Sequence, residues 1–353
     1  MSLLRTALAS SPRVVGRRFA STAAPKKSSN LPAILIGAGI AGAGLYYYLE
    51  KSTPTPAPKP KPTKSALDPD NYKDFKLKKI KPYNHNTSEF VFECSKDEAS
   101  LLPVTSFVYM KASDPEALKG PNGKPVVRPY TPISPSEHLG EIIFLIKKYE
   151  TGNMSKYIHS LKEGDSIAIK GPLGKFPYKE NEYEQVALIG GGSGMYASQP
   201  SISLTKDTDF LISVNSNIGL YFSTPLYQLL THALDSPNNK TKFTLIYSNV
   251  TDKDILLREE LESLKKKHGD KLDLIYYLDK PSDDWKGGSG YITADVIKKY
   301  VAPPALKEKV KVFVCGPPPQ MTSIAGKKDG PQQGEFGGIL KELGYTVEQV
   351  YKF

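Results

Sequence analysis

A chain of 353 residues, 39% of them hydrophobic, is long enough for two ordinary domains with soluble cores. Its net charge of +10 is concentrated at one end: residues 1–64 hold ten Lys/Arg and one acid, leaving 37 basic against 36 acidic side chains in the remainder. A nucleic-acid-binding domain carries its own basic face, so that class is set aside; two cysteines and five scattered histidines exclude a disulfide framework and give no metal-ligand spacing.

Residues 1–30 contain Arg5, Arg13, Arg17, Arg18, Lys26 and Lys27, many Ser and Ala, and no Asp or Glu, the composition of a mitochondrial presequence. Residues 31–49 are an uncharged run of 19 residues. At about 1.5 Å per residue the run matches the ~30 Å core of a bilayer, and a transmembrane helix is expected there. Tyr46, Tyr47 and Tyr48 stand where interfacial aromatics belong; the other reading is a hydrophobic sorting segment that is cleaved. From 50 to 69 runs a Pro/Lys-rich linker with proline at 54, 56, 58, 60 and 62, which favours an extended chain of about 3.1 Å per residue.

Short runs of period-two alternation follow at 74–83, 89–94, 107–111, 141–149 and 165–170, separated by polar and Pro/Gly turns. They predict a small antiparallel barrel over residues 70–180, with Cys94 as a small strand residue. Arg128-Pro129-Tyr130-Thr131 falls at its edge. A guanidinium suits a pyrophosphate oxygen, a tyrosine can lie on a ring system, and a threonine hydroxyl can donate to a heteroatom; an ordinary strand end is the bland alternative. Gly152-Asn153-Met154-Ser155 then precedes a predicted helix at 156–161, whose exposed N–H groups can cradle a diphosphate, with Ser155 read as the N-cap.

Residues 181–353 change pattern. Apolar runs at 185–189, 242–247, 271–277 and 310–315 alternate with helical stretches such as 255–268, which predicts a doubly wound parallel α/β sheet. Gly190, Gly191 and Gly192 lie at the end of the first run, and Cys315-Gly316-Pro317 at the end of the last, where ligands of such sheets bind. The glycine cluster does not have GxGxxG spacing. Asp254, after the second run, is a candidate acceptor for an adenosine ribose that would favour NADH over NADPH; a helix N-terminal acid is the equal alternative.

In this order, the three motifs resemble the ferredoxin reductase-like flavoenzymes and, within them, the NADH-cytochrome b5 reductases, over about residues 70–353. The resemblance implies a Greek-key β-barrel FAD domain followed by an NAD domain, with FAD and NADH as cofactors. It implies Thr131 beside the flavin N5 and Cys315 at the nicotinamide as the residues touching reacting atoms. Arg128, Pro129, Tyr130, Lys148, Tyr149 and Gly152 to Ser155 would hold the flavin, and Gly191, Gly192, Thr224, Asp254, Cys315, Gly316, Pro317 and Phe353 the dinucleotide. It further implies a cytochrome b5-type haem protein as acceptor, a monomer, and a place in the mitochondrial outer membrane or intermembrane space. Lys73, Lys76, Lys78, Lys79, Lys81, Lys111 and Lys119 are either a steering surface for that partner or ordinary solvated lysines. A reductase serving an oxygenase or quinone is the neighbouring reading.

One departure stands out. Members run from the glycine turn almost directly into a Thr-Pro helix, whereas here residues 195–223 intervene before Thr224-Pro225. The stretch is read as a retained intron or mis-joined gene model, with a genuine insertion as the alternative, and a catalytically impaired, membrane-tethered flavin-binding protein is the function it would leave in this chain. Deleting all but one of its residues should raise NADH turnover; unchanged or lower turnover in a steady-state assay would show that the stretch belongs to the working protein.

Overall fold

The computed structural model describes residues 61–174, 176–191, 224–330 and 332–353. The expected presequence, the anchor at 31–49, most of the linker, Gly192 and the stretch 195–223 lie outside the described residues. No helix among the described residues is long and apolar enough to cross a membrane.

The first strands are β1 (Lys64–Ser65), β2 (Lys73–Pro82), β3 (Thr87–Glu93), β4 (Glu98–Ala99), β5 (Phe107–Ala112), β6 (Arg128–Tyr130), β7 (Glu141–Lys147) and β8 (Ser166–Leu173). Six of them form one antiparallel sheet in the order β6-β5-β8-β2-β3-β7. The chain leaving β6 turns back onto β7, where the Ile133 N–H donates to the Ile143 carbonyl at 2.9 Å, so the two outer strands meet and the sheet closes as the predicted barrel. Alternation along the strands sends Phe90, Phe92, Met110, Ile142, Phe144 and Ile146 inward. Helix α1 (Asn153–Ser160) caps this interior with Met154 and Ile158. The folded body begins earlier than the expected boundary at 70: β1 pairs with β4, and Ala66 and Leu67 are buried in the barrel core. Cys94 lies one residue beyond β3 rather than in it.

The second half contributes β9 (Gln185–Gly191), α2 (Thr224–Asp235), β10 (Lys242–Asn249), α3 (Arg258–His268), β11 (Leu272–Leu278), β12 (Gly288–Ser289), α4 (Ala294–Tyr300), β13 (Val310–Cys315), α5 (Pro318–Ala325), α6 (Gly338–Glu342) and β14 (Val350–Lys352). All strand pairings are parallel, in the order β12-β11-β10-β9-β13-β14. Leu226, Leu229, Leu230 and Ala233 of α2 with Leu261 of α3 cover one face; Ile297, Met321, Ile324 and Leu340 cover the other. Covering on both sides explains why β13 is buried at every position. Its Lys311 is accommodated by a hydrogen bond from Nζ to the Glu348 carbonyl and by the Phe176 ring, 4.9 Å away.

The helix predicted from 255 starts instead at Arg258. Thr251 and Asp254 form a reciprocal capping box around a short 3-10 turn, and Leu257 takes a left-handed conformation (φ 57°), so the α-helix cannot begin until after it.

Barrel and sheet belong to one compact unit, Lys61–Phe353. Leu145 packs with Leu256 and Leu257, and the Tyr83 hydroxyl accepts from the Leu257 N–H at 2.9 Å. The Thr105 N–H donates to Gln228 Oε1 at 2.8 Å. At the centre of the contact, Lys147 Nζ donates to Asp254 Oδ1 at 2.9 Å, both side chains being 10% exposed, while Thr251 donates its hydroxyl and its N–H to Oδ2. His85 Nε2 lies 3.7 Å from the same Oδ1. Burial by itself would raise the Asp254 pKa, but the Thr251 hydrogen bonds and the Lys147 charge outweigh it and hold the carboxyl below its ordinary value.

A folded-state pKa below the unfolded one means the pair contributes its full stability above the ordinary carboxylate pKa of about 4 and loses it as pH falls through the depressed value. Lys147→Met should therefore cost about 3 kcal/mol near neutral pH, because it leaves a buried carboxylate unpaired. Urea denaturation should record that loss, and Asp254→Asn should flatten the decline of stability on the acid side.

Candidate functional site

The barrel half of the site is built where β6 ends and α1 begins. Arg128 and Pro129 are half-buried, Tyr130 and Thr131 are each 7% exposed, and Tyr130 packs edge-on against Phe144 at 6.4 Å. The Tyr130 hydroxyl is enclosed yet has no hydrogen-bond partner among the described residues. Burial pushes its pKa well above the usual range, with Tyr149 adding to the shift and Arg128 opposing it, so it stays protonated as a donor. An orphaned buried hydroxyl is costly unless something completes it.

Gly152 is the N-cap of α1 and has no side chain to offer, which leaves the first N–H groups of the helix uncapped. A Cβ at this position would lie 2.6 Å from Ser155 Oγ and 2.9 Å from Tyr149 Cβ, so only glycine fits. Ser155 is therefore not the N-cap the sequence predicts. Its hydroxyl, fully buried, donates to the Gly152 carbonyl at 3.0 Å and accepts from the Tyr149 N–H at 3.1 Å, tying the loop into shape. Met154 faces the core and Asn153 is exposed. Lys148 is also exposed; the lysine that matters structurally in this run is its neighbour Lys147.

The nucleotide half lies at the carboxyl ends of the parallel strands. The chain passes from β9 to β10 on one side and returns to β13 on the other, which makes the β9/β13 boundary the topological switch point. Gly190 of β9 is in register with Cys315 of β13. Gly191 and Gly316 face the Gln320 side chain so closely that a Cβ on either would collide with it. Pro317 caps α5, and Thr224 opens α2, 6% exposed. Phe353 is 4% exposed, stacked on Phe313 at 5.6 Å, with its N–H donated to the Val314 carbonyl, which puts it beside Cys315.

Two residues that the motifs did not single out complete this end. Gln320 is 8% exposed; its Nε2 donates to Ser248 Oγ at 3.0 Å, and its Oε1 has no hydrogen-bond partner among the described residues. Asn249, 2% exposed at the end of β10, has neither amide atom partnered among the described residues. The polar Ser248-Asn249 pair that closes β10 after the apolar run Leu245-Ile246-Tyr247 was the available signal. Asp254 is at the predicted place after β10, but both its oxygens are engaged by Lys147 and Thr251, so the ribose contact expected of it competes with the domain tie.

The donor set fits both groups. An uncapped helix start beside a guanidinium and an unsatisfied phenol suits the diphosphate and ring of a flavin; bare glycine backbone beside unsatisfied amides suits a dinucleotide.

Residues 74–178 match the family model described as the oxidoreductase FAD-binding domain, and residues 223–327 that of the oxidoreductase NAD-binding domain. The second match starts at the last residue of the unusual 195–223 stretch. NADH-cytochrome b5 reductase 2 of Mycosarcoma maydis is 41% identical over 96% of this chain and 93% of its own. The protein of that name from Debaryomyces hansenii is 40% identical over 90% and 93%. The cytochrome b5 reductase domain of Ulva prolifera nitrate reductase superposes with a TM-score of 0.63 over 82% of this chain and all of that one; at 24% identity the likeness establishes the fold. Near full-length identity of this order, on top of matching flavin and nucleotide domains, assigns the chain to the NADH-cytochrome b5 reductase family.

Proposed function

We propose that the protein is an FAD-dependent oxidoreductase that draws electrons from NADH and delivers them singly to a cytochrome b5-type haem protein. The observation that carries this reading is the Lys147–Asp254 bond. Lys147 ends the strand that feeds the Tyr149–Ser155 loop, and Asp254 lies in the turn after β10, so one ion pair joins the diphosphate end of the barrel to the dinucleotide end of the sheet.

When bound, FAD supplies the chemistry: it accepts a hydride and releases two electrons one at a time. The protein's part is positioning. Arg128 and the α1 amides would neutralise the flavin diphosphate, and the Tyr130 hydroxyl would donate to it. The Thr131 hydroxyl, held at the end of β6, would orient the ring. Cys315 and Phe353 would wall the nicotinamide and exclude water. Gln320 and Asn249 would complete the dinucleotide through their unpartnered amide atoms. No general acid or base is required.

For the acceptor, β2 exposes Lys73, Lys76, Lys78, Lys79 and Lys81. Lys78 pairs with Glu141, Lys81 with Glu89, and Lys73 donates to the Ala66 carbonyl at 3.2 Å, whereas Lys76 and Lys79 have neither an ion-pair nor a hydrogen-bond partner among the described residues. Those two are the charges left to steer an acidic haem protein. The basic, acid-free residues 1–30 and the uncharged run at 31–49 support a membrane-anchored mitochondrial protein; a monomer placed in the outer membrane or the intermembrane space is what the family resemblance implies.

Anaerobic titration of the purified protein with NADH is the decisive experiment: the flavin band should bleach. Yellow protein that NADH fails to bleach would favour the impaired reading, and colourless protein would remove the flavin assignment. Cytochrome b5 reduction should slow as salt rises while ferricyanide reduction stays flat, and Lys76→Glu with Lys79→Glu should lower the cytochrome rate by about tenfold at low salt.

A further inference from the structure

Lys352, in the last strand, is 3% exposed, and no carboxylate among the described residues lies within ion-pair distance of its ammonium. Four backbone carbonyls surround it instead: Nζ donates to Glu335 at 2.8 Å and Lys327 at 3.2 Å, with Ala325 and Gly326 at 3.4 Å. Ala325 ends α5 and Gly326 is its C-cap, so the ammonium sits on the negative end of that helix. The other carbonyls come from the loop that follows. Gly326 and Gly334 adopt φ of +90° and +63°, and a Cβ on either would strike the carbonyl of Glu335 or Lys327. Glycine at these two places is what lets the loop wind tightly enough for its carbonyls to converge.

The same loop grips the lysine's backbone. Gln333 accepts from the Lys352 N–H at 2.8 Å and donates to the Lys352 carbonyl at 2.9 Å, as a neighbouring strand would. Lys352 is in register with Val314, which brings the next residue, Phe353, alongside Cys315. At its other end α5 follows directly from Cys315-Gly316-Pro317. Both walls of the nicotinamide end of the site, the Cys315 turn through α5 and Phe353 through β14, are thus fastened to one buried cation.

We infer that Lys352, held in the carbonyl cage of the 325–335 loop and clamped by Gln333, is a positioning residue that sets the separation of Phe353 and the Cys315 turn and so the affinity for NADH. The inference rests on the proposed flavin–nicotinamide reading. An apolar side chain of similar length leaves the cage carbonyls unsatisfied, and they must turn away to find water.

The test uses the FAD-loaded full chain. In Lys352→Met the KM for NADH should rise about tenfold, while FAD content and the rate at which dithionite-reduced enzyme passes electrons to ferricyanide stay at wild-type level. Gln333→Leu, which keeps the cation and removes the clamp, should raise KM about threefold. Lys352→Arg, which restores a positive charge, should recover part of the loss. A wild-type KM in Lys352→Met, or a fall in thermal stability with KM unchanged, overturns the inference; if that variant fails to fold, an unchanged KM in Gln333→Leu does so. Wild-type protein that NADH cannot bleach overturns the flavin–nicotinamide reading itself.

Discussion

A lysine and an aspartate shielded from water at the boundary of two domains, Lys147 and Asp254, set the relation on which the rest of the site depends. Inside the closed interface each charge depends on the other: an Asp254 carboxylate left with Thr251 and His85, or a Lys147 ammonium left with no carboxylate, would cost several kcal/mol. Closing the interface is therefore a condition of burying the pair. The apolar contact of Leu145 with Leu256 and Leu257 supplies the attraction, and the ion pair with its hydrogen bonds supplies the register.

Within that frame the two halves solve the same problem differently. Among the described residues, the barrel leaves the start of α1 without a side-chain cap and a phenol without a partner; the sheet leaves amide side chains unpaired where its strand order reverses. In both places folding has stopped short of satisfying polar groups, and in both a ligand rich in oxygen and nitrogen would finish the task. Glycine makes the approach possible at Gly152, Gly191 and Gly316, since a methyl group at any of them would collide with a neighbouring side chain.

Much of this was legible in the sequence because it rests on short-range rules. Alternation over 74–83 reports a strand with one wet face, and the run at 310–315, apolar but for Lys311, reports a strand covered on both. What escaped was set by contacts distant in sequence. Lys147 and Lys148 are indistinguishable locally, and only the position of Asp254 across the interface decides which of them is buried. Local sequence favours Ser155 over Gly152 as the N-cap because serine is the stronger capping residue; the structure gives that hydroxyl to the loop instead. Helix α3 starts later than its apolar pattern implies because the left-handed Leu257, whose N–H is taken by Tyr83 of the barrel, has no local signature. Ala66 and Leu67 read as linker for the same reason: their partners, β4 and the barrel interior, come later in the chain.

The register of Gly190 with Cys315 has a kinetic consequence. Strand β9 is the centre of its sheet, yet its neighbour β13 is synthesised only after β10, β11 and β12 and the helices between them. Contacts of such long sequence separation form late, since the entropy of closing the intervening chain must be overcome before any strand pairing compensates for it. The barrel, whose strands are nearer neighbours, can collapse first. The newly made chain therefore passes through a state in which one flank of β9, an apolar edge, awaits its partner, and in that interval it is most exposed to aggregation and most dependent on chaperones.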